Sequence, residues 1–319
     1  MPSWGEILLE LTSASVAGGS PTLLDDTRDK YLSQLVAVTG RSVVVYATDF
    51  LGKGGPGTSI TLIDMQGLME VFKDLPGPNL DLILLSPGGE AEATERLVRY
   101  MRSKFEHIRI FVPFVAMSAA TMWTMAADEI VMGKHSQLGP IDPQISFSGN
   151  SSIPAGALID QFKEANDQCV IEPKRITGWL PTLQQYPPGL LNVCESADLL
   201  SKKLVAEWLE TYIFKADPAK KTKSKEIADW LGDDHVHLSH SRPITRDDLR
   251  DKGLPITNLE DDSILQDAVL SVHHAVMHTF SNTSAVKIVE NNLKRRWVQH
   301  GGFQMASPPT PTTPAPSAP

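Results

Sequence analysis

The stretch that most limits how this chain can fold runs from Leu82 to Asp142. The apolar run Leu80-Asp81-Leu82-Ile83-Leu84-Leu85 has the length of a buried strand and ends in the turn residues Ser86-Pro87-Gly88-Gly89. Residues 90–104 then carry Ala91, Ala93, Leu97, Val98 and Met101 at close to helical spacing. A second strand is predicted over 108–115, with Pro113 at its end or on an edge. It runs into Ala116-Met117-Ser118-Ala119-Ala120, and 119–127 reads as a small-residue helix. Strand, helix, strand, helix in that order predicts an α/β fold whose parallel strands are joined by right-handed βαβ crossovers. Sites in such sheets gather at the strand C-termini, where Gly89 and Ser118 both fall.

A serine at a helix start, directly after a strand, has its hydroxyl exposed and unpaired N–H groups beside it. A hydroxyl is a poor nucleophile at neutral pH and needs a base within hydrogen-bond reach. The N–H groups of Ala119 and Gly89 would hold a developing oxyanion. Glycine at 88 and 89 lets the backbone approach a substrate carbonyl with no Cβ in the way. Taken alone, the same serine would serve equally as a helix N-cap beside a tight turn.

Ser86-Pro87-Gly88-Gly89, followed 29 positions after Gly89 by Ser118 in its Ala-Met-Ser-Ala-Ala setting, resembles the Clp-protease/signal-peptide-peptidase/crotonase superfamily. Ala126-Ala127-Asp128-Glu129-Ile130-Val131-Met132 and Leu138-Gly139-Pro140-Ile141-Asp142-Pro143-Gln144 narrow the match. Over about residues 25–300 the chain is similar to the serine dehydrogenase proteinases, a ClpP-like family. The resemblance implies a ClpP/crotonase-like parallel sheet with additional C-terminal helices. It also implies a serine peptidase acting on peptide or protein substrates, and a homo-oligomer of rings or stacked rings. Two rivals stay open: a crotonase-type acyl-CoA enzyme would use the same pair of N–H groups without the serine, and a non-catalytic scaffold would keep the fold without a competent base.

The base has three candidates. ClpP-type triads place a histidine where this chain has Ile141-Asp142-Pro143, so the usual order is not reproduced. Signal-peptide-peptidase relatives use a lysine from a segment that here reads Ile153-Pro154-Ala155-Gly156, and the nearest lysines are Lys163 and Lys174. A lysine base must be desolvated or crowded by positive charge. Lys174 has Arg175 beside it and Lys163 borders an apolar stripe, but each reads equally as a surface residue. The third candidate comes from the stretch 242–254, which resembles the ClpP segment just after its catalytic aspartate and so puts His237 and His240 near the serine. A rearranged set of Ser118 and His240, with Asp142 or another acid orienting the imidazole, follows. His235, His237 and His240 also have the look of a metal cluster, but no carboxylate is assigned to them. His274 and His278 are i, i+4 without the glutamate of a zinc protease. Neither metal nor cofactor is expected.

A net charge of −9 argues against a general nucleic-acid binder, which needs clustered Lys and Arg. Cys169 and Cys194 supply no disulfide framework. The glycine loop 52–58 contains Lys53 but not the phosphate-loop order, so a connector is expected there. No transmembrane segment is expected, because no run reaches ~18 apolar residues. The first residues lack a signal-peptide layout, and a cytoplasmic location is the resulting expectation. Three parts are expected: an N-terminal extension over 1–24 with a short helix at 5–12, a domain over 25–303 whose helical part starts at about 196, and a disordered Pro-rich tail over 304–319. Within the domain, helices are predicted at 25–38, 60–73, 154–166, 196–214, 245–251 and 263–283, and strands at 42–47, 286–289 and 296–298. A polar loop at 146–152 and a kinked connector through Trp179, Pro181 and Pro187-Pro188 complete the reading.

Overall fold

The computed structural model describes residues 3–146 and 152–301. The expected Pro-rich tail and most of the expected polar loop lie outside these described residues. Two helices open the chain, α1 (Trp4–Val16) and α2 (Leu23–Thr39). An alternating core follows: β1 (Ser42–Thr48), α3 (Asp64–Phe72), β2 (Asn79–Leu85), α4 (Ala91–Lys104), β3 (His107–Val112), β4 (Val115–Ala116), α5 (Ala119–Thr124) and β5 (Glu129–Met132). Then come β6 (Gln137–Leu138), the hairpin β7 (Gln144–Ser146) and β8 (Ser152–Pro154), and the helices α6 (Ala155–Ile171), α7 (Ile176–Leu183), α8 (Leu190–Thr211), α9 (Lys220–Leu231) and α10 (Asp234–His237). The chain closes with β9 (Ile244–Thr245), α11 (Arg246–Asp251), β10 (Thr257–Asn258), α12 (Ser263–Asn282), β11 (Ala285–Asn291) and β12 (Arg296–His300).

The main sheet runs β10-β5-β3-β2-β1-β11-β12. Its first five strands are mutually parallel, as the alternation predicts, and β11 and β12 add an antiparallel edge. Parallel strands covered on both faces read as continuous apolar runs, and β1 and β2 divide theirs between two layers. Val44, Tyr46, Leu82 and Leu84 pack toward the α3, α4, α5 and α8 side. Val43, Val45, Ile83 and Leu85 pack toward α2 and α12. Each such leucine is fully buried, so truncating Leu82 to alanine costs about 2–5 kcal/mol.

Four segments differ from the sequence expectation, and each difference has a local cause. The strand expected over 108–115 breaks at Pro113, which has no N–H to give a ladder; β4 leaves the main sheet and joins β6 and β9. The helix expected from residue 60 starts at Asp64, because Ile60 is extended and bridges Gly89. The expected kinked connector contains α7 with Pro181 inside it, where only one late helical N–H is lost. Helix α1 extends to Val16, and its Ile7 and Leu11 are buried among residues of α2 and α12. Among the described residues no helix is long and apolar enough to cross a membrane.

Candidate active site

A three-stranded sheet, β4-β6-β9, brings the chemistry together. β4 and β6 are parallel, with Ala116 opposite Leu138, so Ser118 lies two residues beyond β4 at the C-terminal end of both. β9 runs antiparallel to β6, with Leu138 opposite Ile244. Carried four residues further along one strand and four back along the other, that register sets Asp142 across from His240. The contact is made: His240 Nδ1 lies 2.8 Å from Asp142 Oδ1. Asp142 is buried, and its Oδ2 accepts from Gln144 Nε2 at 2.6 Å. A carboxylate at Nδ1 holds the proton on that nitrogen and leaves the lone pair on Nε2. His240 lines a cleft of about 570 Å³, and so do Ser118, Ala119, Gly88 and Gly89.

Ser118 sits at the N-cap position of α5 with φ 51 and ψ −120, a conformation that is strained for any residue with a Cβ. An N-cap serine would normally bond a helix N–H, yet this side chain makes no cap hydrogen bond. The strain therefore is not repaid by capping, and the half-buried hydroxyl faces the cleft. Thr121, fully buried one turn later, ties α5 to the segment that follows β6 and leads to Asp142: its Oγ1 accepts from Gly139 N–H at 3.0 Å and lies 2.9 Å from Gly139 O.

The glycine pair packs directly against this turn. Gly88 has φ 94, and a Cβ there would lie 2.5 Å from Met117 O and 2.8 Å from Ala119 N. A Cβ on Gly89 would lie 2.2 Å from Ile60 O. Ile60 N–H donates to Gly88 O at 2.7 Å, and Ile60 O accepts from Glu90 N–H at 2.9 Å. Since the groups of 88 and 90 face Ile60, the intervening Gly89 N–H faces the other way, toward the serine turn. The Gly88 N–H donates to Ser86 Oγ at 3.1 Å, so Gly89 and Ala119 are the two that remain to receive an oxygen. A hydroxyl, an imidazole and backbone N–H groups lining one cleft are the parts acyl transfer requires.

The lysine candidates are placed elsewhere. Lys163 is exposed and lines a separate apolar cavity against α7 and α8, and Lys174 is exposed in the turn 173–175. The other histidines of the 235–240 segment point apart: His235 Nε2 pairs with Asp160 at 2.8 Å, and His237 Nε2 meets Trp230 O at 2.8 Å. Among the described residues no group of three or more His, Cys, Asp or Glu is arranged to hold a metal. Sequence reading did not single out Gln144 or Thr121: no residue pattern marks the buried carboxylate that Gln144 meets two residues away, or the Gly139 that Thr121 meets 18 residues on.

A strained serine and a glycine pair meet at the strand C-termini of a mostly parallel α/β sheet. Residues 60–176 match the model of the ClpP-like SDH-type serine proteinase family, in agreement with the resemblance seen in the sequence. The matched range contains Ser118 and Asp142, while His240 lies beyond it. Two uncharacterized proteins of Methanocaldococcus jannaschii are similar, at 29% identity over 166 residues and 27% over 180. The alignments take in 50% and 53% of this chain but only 58% and 57% of those relatives' own length. Two solved structures of a membrane-bound stomatin-specific protease, 1510-N, are also similar: one is a serine-to-alanine mutant, the other a lysine-to-alanine mutant in complex with a substrate peptide. Their identities are 14% and 15% and their TM-scores 0.36 and 0.34, over 66% and 60% of this chain and 79% and 65% of theirs.

Proposed function

We propose that the protein is a serine peptidase in which Ser118 is the nucleophile, His240 the general base and Asp142 the group that orients the imidazole. Ser118 Oγ attacks a peptide carbonyl as its proton passes to His240 Nε2, and the N–H groups of Gly89 and Ala119 hold the tetrahedral oxyanion. His240 then gives the proton to the leaving amine, and water repeats the sequence to release the acyl group. The observation that carries this reading is the uncapped, strained Ser118 lining the same cleft as His240, whose Nδ1 is held by a buried carboxylate. Ser118 and His240 are not hydrogen-bonded to one another here; such contacts commonly tighten only around substrate. A homo-oligomer belongs to the same proposal, supported by the exposed Leu199 and Ile264 on the long helices α8 and α12.

The test is cleavage of an unfolded protein substrate, with products read by mass spectrometry. Wild type is expected to cut, and Ser118→Ala and His240→Ala to lose activity at least 10³-fold. Activity that survives Ser118→Ala, together with binding of a coenzyme A thioester, would assign the cleft to acyl-CoA chemistry instead.

A further inference from the structure

Behind the glycine pair lies a fully buried ion pair that the chemistry above does not use. Lys287 on β11 donates from Nζ to Asp64 Oδ1 at 2.6 Å and to Ser59 O at 2.8 Å. Asp64, at the start of α3, accepts on Oδ2 from Thr61 N–H at 3.0 Å and from Tyr46 OH at 2.7 Å. Both charged side chains are at most 1% exposed. Burial pulls the Lys287 pKa below the ordinary lysine value, and Asp64 opposes that shift. A buried charge pair contributes little net stability compared with apolar residues of similar volume, so its presence beside a cleft calls for another explanation.

The hydrogen bonds supply one. Ser59 and Thr61 flank Ile60, and Ile60 is the residue whose N–H and C=O clamp Gly88 and Glu90. Tyr46 also packs edge-on against Trp123 of α5 at 5.1 Å between ring centroids, so the same cluster touches the helix that begins with Ala119. Resting on the peptidase reading above, we propose that Lys287 and Asp64 are positioning residues for the oxyanion site: they fix Ser59–Ile60–Thr61, which in turn aims the Gly89 N–H at the cleft.

The variant Lys287→Met/Asp64→Leu removes both charges together, leaves none unpaired and deletes the bonds to Ser59 O and Thr61 N–H. Lys287→Gln keeps an N–H donor on this side chain, one bond short of the lysine Nζ, without the charge. Activity is measured per folded molecule, with folding followed by circular dichroism and melting temperature. The double variant is expected to lose 10- to 100-fold in kcat with KM within threefold of wild type, and Lys287→Gln to recover at least a third of the lost logarithm. A purely structural pair would lower the melting temperature and leave kcat per folded molecule unchanged, and that result overturns the proposal. If the double variant does not fold, Lys287→Gln alone decides: a kcat reduced with KM intact supports positioning, and an unchanged kcat refutes it. Wild type that fails to cut peptide bonds at all removes the peptidase reading and this one with it, whereas active wild type with unaffected variants removes only this one.

Discussion

Replacing Asp142 with asparagine separates the orienting role from simple hydrogen bonding, because Gln144 decides how the new amide must lie. Asp142 Oδ2 accepts from Gln144 Nε2 at 2.6 Å, and its Oδ1 accepts from His240 Nδ1 at 2.8 Å. An asparagine would turn its oxygen toward Gln144, which can only donate from that nitrogen, and so present its own NH₂ to His240 Nδ1. Nδ1 would then be an acceptor, and the proton would sit on Nε2, the atom that has to accept the Ser118 proton. The wrong tautomer costs about 10⁴-fold in kcat, or about 5.5 kcal/mol at 1.36 kcal/mol per decade. The assay is peptide hydrolysis by Asp142→Asn at several pH values, with folding checked by melting temperature. Adding Gln144→Leu frees the amide to turn over, and it is expected to return at least tenfold of the lost rate. Asp142→Asn within tenfold of wild type would falsify the orienting role.

Further outcomes follow from the same geometry. Ser118→Gly is expected to melt above Ser118→Ala by the equivalent of about 1 kcal/mol, since glycine accepts φ 51 without strain, while both are inactive; calorimetry of the pair checks this. Gly88→Ala is expected to destabilise by more than about 2 kcal/mol and to abolish activity, because its Cβ would meet backbone at Met117 and Ala119 that cannot give way; denaturant titration measures it. Lys163→Ala and Lys174→Ala are expected to keep wild-type kcat/KM within threefold, since both side chains are exposed away from the cleft. Burial, helped by His274 and His135, pushes the His273 pKa down to about 3 from the ordinary 6.5. Between those values the unfolded chain binds a proton that the folded chain refuses, so stability falls as pH drops from 6.5 toward 3. That group contributes a loss of about 2 kcal/mol by pH 5, and His273→Gln is expected to flatten the decline in melting temperature over the same window.

The parallel core was legible because each of its signals is local: Leu80–Leu85 apolar, glycines at the turn, helical spacing from Ala91 to Met101. Ser118 and Gly88-Gly89 were legible for the same reason, since a strand, a turn and a helix fix them within a few residues. The strain at Ser118 was not, because φ 51 belongs to a turn packed closely against Gly88, a contact across about thirty residues that no local pattern marks. Sequence put His240 among three candidate bases without choosing between them. The contact with Asp142 depends on the two-residue strands β6 and β9, too short to leave a periodic signal, meeting across about a hundred residues. Lys163 and Lys174 could not be set aside from sequence, since an apolar stripe beside a lysine says nothing about which cavity the stripe faces. The Lys287–Asp64 pair was not legible because it is made by α3 packing on β11, elements more than two hundred residues apart in the chain.

Locating the adduct of a fluorophosphonate across a pH series reads the chemistry of the cleft most directly. The account predicts a single modified residue, Ser118, at every pH of the series, formed at a rate that falls at least 10³-fold in His240→Ala. A modification at another residue, or a Ser118 adduct whose rate ignores His240, would contradict it.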